Sequence, residues 1–560
     1  VRLRDNAHNS TAAGHSRQLF ASLLSILLVF VVSACSPTPD NSDTTSASSS
    51  SVTNAGNVAI FTPSDGITLS QHTPLNKWTV FVSELTAALQ EQHVQKKAIS
   101  SNSYDNLDEQ SRAIQDYVVN RVAQSASSSS TGSTAGAASN ATSLIVAPVT
   151  ETADFQRQFG DYFGTTLEQQ SSSSSSTASS SSSSSSGSST SDTSSSPTDS
   201  SSASSESSDE QQAITRLSSA LNLAKKSGMH VVMLSSTLEG FTPDLYAPMS
   251  SVEQMAQVQA KQLVNKLELD STSKENPKQI EIMLPSSSNA SNAADEFDKA
   301  AFSAIWDVLG PYFRSGAVES PSGLLDGNST ADSWKSVSFQ ASDENSIKKE
   351  LTQRLGKQSK SAAKRTRIDG ILAMNDYVAS EITTTLTSLG YTGSSADINP
   401  EISISGIVDN ITGKTDLKKD KVPDPSVAPT SDEDADEDSA ASSSDSSSDS
   451  SSSTSSTSDS SAWPIVTGYG AYLDNIPSIV DGQQWMTALE DRKTLATTIG
   501  KAVKMLNVKG SISGIDGITT RKSNGVTAPT VEVGLLTVSA SNLKTTLIDT
   551  NYVTAADAGL

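Results

Sequence analysis

The sequence predicts an α/β protein whose parallel sheets are wrapped by helices, with folded length enough for two domains. Three observations carry this. Short apolar runs recur at 58–61, 144–147, 231–234, 280–284, 371–374 and 464–466. Segments of helical period lie between them. The runs lack the alternation of a half-exposed strand, so they read as buried on both faces, the condition of a parallel sheet between helix layers.

The clearest helical segment is 291–313. Its apolar residues fall at Phe297, Ala301, Ala304, Ile305, Val308 and Tyr312, and Gly310-Pro311 is expected to end it. Segment 494–508 places Leu495, Ile499, Ala502, Val503 and Leu506 on one face, and 213–226 does the same with Ile214, Leu217, Leu221 and Ala224. In such sheets ligands bind beyond the carboxyl ends of the strands. Function is therefore expected just after each run, at 62–78, 148–152, 235–240, 285–292, 375–377 and 467–474.

Lys and Arg total 39 and Asp and Glu total 62, for a formal net charge of −23. That balance opposes nucleic-acid binding, which needs a basic face to neutralise phosphates. The charge is concentrated. Segment 168–210 holds six acids and no base, and 430–461 holds nine acids and no base. Both are nearly all Ser, Thr, Asp and Glu, which cannot bury enough apolar surface to offset ordering entropy. They read as disordered insertions, as do 36–56 and 124–142. Without these and the first 35 residues, about 410 remain, enough for two domains.

One cysteine excludes a disulfide framework and a thiolate metal cluster. Of five histidines, only His72, His93 and His230 follow the first 35 residues, so no metal site is expected. His93 and His230 flank predicted elements, and His72 has no serine elbow to serve. There is no Walker A sequence. The acidic run 432–438 lacks the central glycine of an EF-hand, and Gly468-Tyr469-Gly470 lacks the third glycine of a dinucleotide fingerprint. No catalytic residue, cofactor or metal is assigned, and no enzyme is expected.

Arg2, Arg4 and Arg17 precede an uncharged apolar run, 19–34, too short to span a bilayer as a helix. Ser33 and Ala34 close it, and the single cysteine, Cys35, follows. Residues 1–35 are expected to be a signal segment. Val32-Ser33-Ala34-Cys35 resembles a bacterial lipobox, which implies lipidation of Cys35, with 36–56 as a flexible tether.

The folded part resembles the sugar-binding lipoproteins of ABC importers, in the ribose and xylose group of type I periplasmic binding proteins. The resemblance rests on Pro464-Ile-Val-Thr-Gly468, on Ile476-Pro-Ser-Ile-Val-Asp-Gly-Gln-Gln-Trp-Met-Thr487, and on Asp491-Arg-Lys-Thr-Leu-Ala496. Ile371-Leu-Ala-Met-Asn-Asp376, Ile280-Glu-Ile-Met-Leu-Pro285 with Asn292-Ala293, and Lys77-Trp78 fit the same order. The resemblance implies two Rossmann-like parallel-sheet lobes joined by a three-strand hinge. The first would comprise 57–246 and 491–533, the second 247–490 and 534–560. It further implies a small carbohydrate ligand in the cleft, permease membrane subunits as partners, a membrane tie through the lipid, and an extracytoplasmic position.

Sugar sites combine planar hydrogen-bonding groups with an aromatic face. Trp78 is the candidate face. Asn375 and Asp376, Asn292, Asp65, Ser235, Ser236 and Tyr469 are the candidate polar contacts, with Ser64, Thr150, Glu151 and Glu239 as further loop polars. Two departures from the family stand out. Ser235-Ser236 replaces its Asp-Arg clamp, and Tyr469-Gly470 replaces its Gln-Asp pair; Asp409 is a substitute if the strand near 406 aligns instead. Three functions stay open: solute receptor, ligand sensor signalling to a membrane receptor, and surface lipoprotein with a degenerate cleft.

Overall fold

The computed structural model describes residues 54–65, 74–128, 141–150, 154–168, 202–249, 251–286, 292–356, 365–396, 462–523 and 526–560. Cys35, Glu151 and Asp409 lie outside them, as does most of the Ser-rich sequence.

Two large sheets organise the chain. The first has seven strands, in spatial order Ile518–Ser523, Val526–Val531, Leu245–Ala247, His230–Leu234, Thr142–Val146, Asn57–Pro63 and Ile99–Tyr104. All neighbours are parallel except the first pair. Numbered along the chain, its first five strands lie 2-1-3-4-5, a doubly wound order. The second sheet runs Val318–Glu319, Lys278–Ile282, Gly370–Leu372, Ile465–Thr467, Met486–Leu489 and Leu536–Ser539. It repeats the 2-1-3-4-5 order and ends on an antiparallel strand.

Helices cover both faces of each sheet. On one face of the first, Trp78–Glu91 and Arg492–Lys509 bury Phe81, Leu85, Leu495, Ile499 and Val503. On the other, Leu107–Ser128 and Ser202–Lys226 bury Ile114, Val118, Leu217 and Leu221. The second sheet packs Val252–Lys266 and Asn292–Ser315 on one side, and Glu344–Leu355 and Asp376–Leu389 on the other. The chain passes between sheets three times, after 247, after 489 and after 531.

The predicted runs fall on strands because those strands are central. All five residues of Thr142–Val146 are buried, as are the five interior residues of Asn57–Pro63. Several boundaries differ from expectation. Gly310-Pro311 does not end its helix, which continues to Ser315. Pro311 forgoes one hydrogen bond and crowds the preceding turn, at a cost of about 3 kcal/mol. Burial of Phe313, stacked on Trp306 at 5.2 Å, offsets much of it. Residues 202–210, expected to belong to an unstructured insertion, are helical, because the amphipathic 213–226 seeds a helix that extends backward. Likewise the stretch from 124 continues its helix to Ser128, and residue 142 opens a strand.

Candidate ligand cleft

The segments after the strands of the two sheets meet. From the first sheet come Leu75 and Asn76, and Gln158 from the loop that follows Thr142–Val146. From the second come Asn375 and the turn 469–472. Asn76 Nδ2 donates to Tyr469 Oη at 2.9 Å, and the Leu75 N–H donates to the Gly470 carbonyl at 3.0 Å. Asn375 Nδ2 donates to Gln158 Oε1 at 3.1 Å, and Tyr472 Oη donates to the Gln158 carbonyl at 2.7 Å. Backbone strain collects here too. Ser235, Met374 and Ala471 hold φ of 60°, 64° and 50°, each shortly after a strand end. Non-glycine residues in that region persist only where their surroundings enforce it.

Two doubly wound sheets, three passages between them, and strand ends face to face decide the architecture. The fold is that of the type I periplasmic binding proteins. No known sequence family matches the chain, and no curated protein does. Solved structures similar to it include a solute-binding protein of Clostridium phytofermentans with bound β-D-glucose: 15% identity, TM-score 0.43, covering 90% of this chain and 99% of that one. A carbohydrate transporter solute-binding protein from Chloroflexus aurantiacus in complex with D-glucose is 17% identical, with TM-score 0.42 and coverage of 90% and 98%. A periplasmic ribose ABC transporter protein from Conexibacter woesei is 10% identical, with TM-score 0.39 and coverage of 88% and 95%. The fold assignment rests on the strand orders, not on these likenesses.

The predicted site residues divide into three groups. Asn375 reaches the other lobe through Gln158, while its Oδ1 caps the following helix by accepting from the Val378 N–H at 2.8 Å. Tyr469 lines the cleft with its ring and its hydroxyl. Ser235 and Ser236 sit at their strand end, but both are buried and brace a loop. Ser235 Oγ donates to the Tyr162 carbonyl at 2.6 Å, and Ser236 Oγ accepts from the Thr165 N–H at 3.1 Å. These hydroxyls face their own chain.

Asp376 turns into its own lobe. Its carboxylate accepts from Gln484 Nε2 at 2.6 Å, Thr487 Oγ1 at 2.8 Å and the Tyr472 N–H at 3.0 Å. Its backbone carbonyl accepts from Asn475 Nδ2 at 2.8 Å. Burial pushes its pKa up to about 6, against the hydrogen bonds from Thr487, Gln484 and the backbone of 471–472. Gly468 is needed beside it, since a Cβ there would stand 2.1 Å from Asp376 Oδ1.

Trp78 is 2% exposed, packed edge-on against Tyr162 at 5.1 Å and Phe81 at 6.2 Å. It belongs to the first lobe's core in this conformation. Asp65 Oδ1 accepts from the Thr79 N–H at 3.0 Å and so caps the helix that Trp78 begins. Asn292 opens its helix, and its side chain lies outside the described residues.

Sequence reasoning missed what lies between the lobes. Phe159 is fully buried, 5.2 Å from Phe297 and 6.3 Å from Tyr469, centroid to centroid. Phe163 meets Phe297 at 5.4 Å. A signal was present: Phe155, Phe159, Tyr162 and Phe163 fall within nine residues of a chain that is 5% aromatic. Among the described residues, no group of His, Cys, Asp or Glu is arranged to hold a metal, and no helix is long and apolar enough to cross a membrane.

Beside Phe297, Asp298 is fully buried, and burial pushes its pKa up to about 7, with the Ser286 hydroxyl opposing and Asp295 adding to the rise. Between about pH 4 and 7 the folded state holds a proton that the unfolded state has lost. Stability is therefore full at the acid end and falls as pH rises. Asp298→Asn is expected to remove on the order of 2 kcal/mol of that fall. Urea midpoints at pH 5 and pH 8 check it: the wild type should lose more stability than the variant between the two.

Proposed function

We propose that the chain is an extracytoplasmic solute-binding lipoprotein that captures a carbohydrate between its lobes and delivers it to the membrane subunits of an ABC permease. It binds without turnover. Its lobes would comprise 57–246 with 491–533, and 247–490 with 534–560, a division that the three passages between sheets support. Lipidation at Cys35 would tie it to the membrane. The observation that carries the reading is the opposition of the segments that follow the strands, with Tyr469 and Gly470 of one sheet against Asn76 and Leu75 of the other. A small molecule lying between those segments would meet amides, hydroxyls and aromatic faces. The glucose bound to two similar solved structures is in keeping with a sugar.

A thermal-shift screen of the full chain against pentoses, hexoses and oligosaccharides tests it. A ligand at 100 times its dissociation constant adds about 2.7 kcal/mol, a rise of about 5 °C or more. A hit from one sugar class is the expected result. A flat response overturns the carbohydrate reading. It would leave a lipoprotein of this fold whose cleft takes no sugar, which the seating of Phe159 between Phe297 and Tyr469 favours.

A further inference from the structure

We propose that segment 156–164 is an intramolecular occupant of the cleft, holding the two lobes together in the absence of any solute. The segment is rooted in the first lobe. Tyr162 is buried against Trp78 and Phe81, and its hydroxyl donates to the Lys77 carbonyl at 2.7 Å. Lys77 pairs with Asp161 at 3.3 Å, and the Asp161 N–H donates to the Asn76 carbonyl at 3.0 Å. Gly160, at φ 93°, passes so close to Asn76 that a Cβ would stand 2.7 Å from its Cβ. Ser235 and Ser236 hold the far end.

From that root the segment presents a different set of groups to the second lobe. Phe159 and Phe163 pack on Phe297, Phe159 also faces Tyr469, and Gln158 engages Asn375 by its side chain and Tyr472 by its carbonyl. An aromatic ring with an adjacent amide fills the place between opposed strand ends where a solute would lie. This rests on the cleft being the binding site, as proposed above. A solute then competes with a tethered group, and its apparent affinity is lowered by the fraction of molecules in which the segment has left. The Ser235-Ser236 and Tyr469 departures acquire a common purpose: they accommodate the segment.

The test measures lobe separation with no solute present, so it is independent of whether any sugar binds. Val119, half-exposed on a first-lobe helix, and Lys335, exposed on the second lobe, are replaced by cysteine in the full chain carrying Cys35→Ala, and spin-labelled. Pulsed electron-spin distance measurement should give one narrow, short distribution. Phe159→Ser with Gln158→Ala should shift the population to longer distances, the closed fraction falling ~tenfold. Gln158→Ala alone leaves the aromatic packing intact; it should give a smaller shift in the same direction, and it decides the matter if the double variant does not fold. A broad, open distribution in the unsubstituted segment, or closed distributions in both variants, overturns the proposal.

Discussion

Replacing Asp376 with alanine is expected to destabilise the second lobe by about 3 kcal/mol, and Asp376→Asn by less. The carboxylate is fully buried and gathers the Gln484 amide, the Thr487 hydroxyl and the Tyr472 N–H, while Asn475 ties its backbone to Gln484. Alanine removes the acceptor and leaves those donors in a site water does not reach, at about 1–3 kcal/mol for each left unpaired. Gln484 and Thr487 keep other acceptors, the Met486 and Ala488 carbonyls, so the Tyr472 N–H and the cavity carry most of the cost. Asparagine retains one accepting oxygen and no charge. The pH dependence isolates the contribution of the carboxylate itself. With its folded pKa raised to about 6, wild-type Asp376 gives up stability as pH rises from about 4 to 6 and does not regain it above. Both variants should lack that part of the slope. Urea unfolding at pH 4, 5, 6 and 8 reads it, and a parallel slope in Asp376→Asn would refute the assignment. The turn that Asp376 holds carries Tyr472, which reaches Gln158 across the cleft, so the alanine variant should also loosen lobe closure.

What the sequence made legible follows from which surfaces are buried. Central strands such as Thr142–Val146 announce themselves because both faces need apolar side chains. Ile99–Tyr104, an edge strand whose four middle residues are exposed, carries no such mark and reads as loop. The strand-end rule picks residues by their place after strands. Asn375, Asp376, Ser235, Ser236 and Tyr469 all lie at carboxyl ends of strands in the two large sheets. It does not say which way each side chain turns. Asp376 is next to Asn375 in sequence, yet one faces its own lobe and the other faces Gln158. Segment 156–164 escaped the rule because it starts well beyond the end of its strand at Val146, past the positions where ligand contacts are sought. Trp78 shows the converse limit. A tryptophan at a helix start beside a cleft is indistinguishable in sequence from one that packs beneath it.

The other large effect lies on the same face of the second sheet, under the neighbouring helix Glu344–Leu355. Arg354→Met is expected to cost about 3–5 kcal/mol, and adding Glu281→Met to recover much of it. Glu281, on strand Lys278–Ile282, is fully buried and accepts from Arg354 Nη1 at 2.9 Å, Ser322 Oγ at 3.0 Å and Ser320 Oγ at 3.1 Å. The guanidinium also donates to the Ile282 and Val337 carbonyls, both at 2.7 Å, and to Glu350 at 2.8 Å. Removing the cation leaves a buried carboxylate without its counter-charge, which is the expensive state; replacing both partners by apolar groups avoids it. The coupling should therefore be strongly non-additive in denaturant unfolding, whereas independent contributions would add within about 0.5 kcal/mol. An additive result would mean that Arg354 acts through its carbonyl contacts alone. Those contacts bear on the cleft. Arg354 fixes the carbonyl of Ile282, the last residue of the strand, and two residues later the chain enters the ribbon Leu284–Ser286, whose Ser286 hydroxyl bears on Asp298, next to Phe297. The buried pair thus holds from behind the strand end on whose far side Phe297 meets segment 156–164, and loss of the pair should reach the cleft as a shift toward the open lobes.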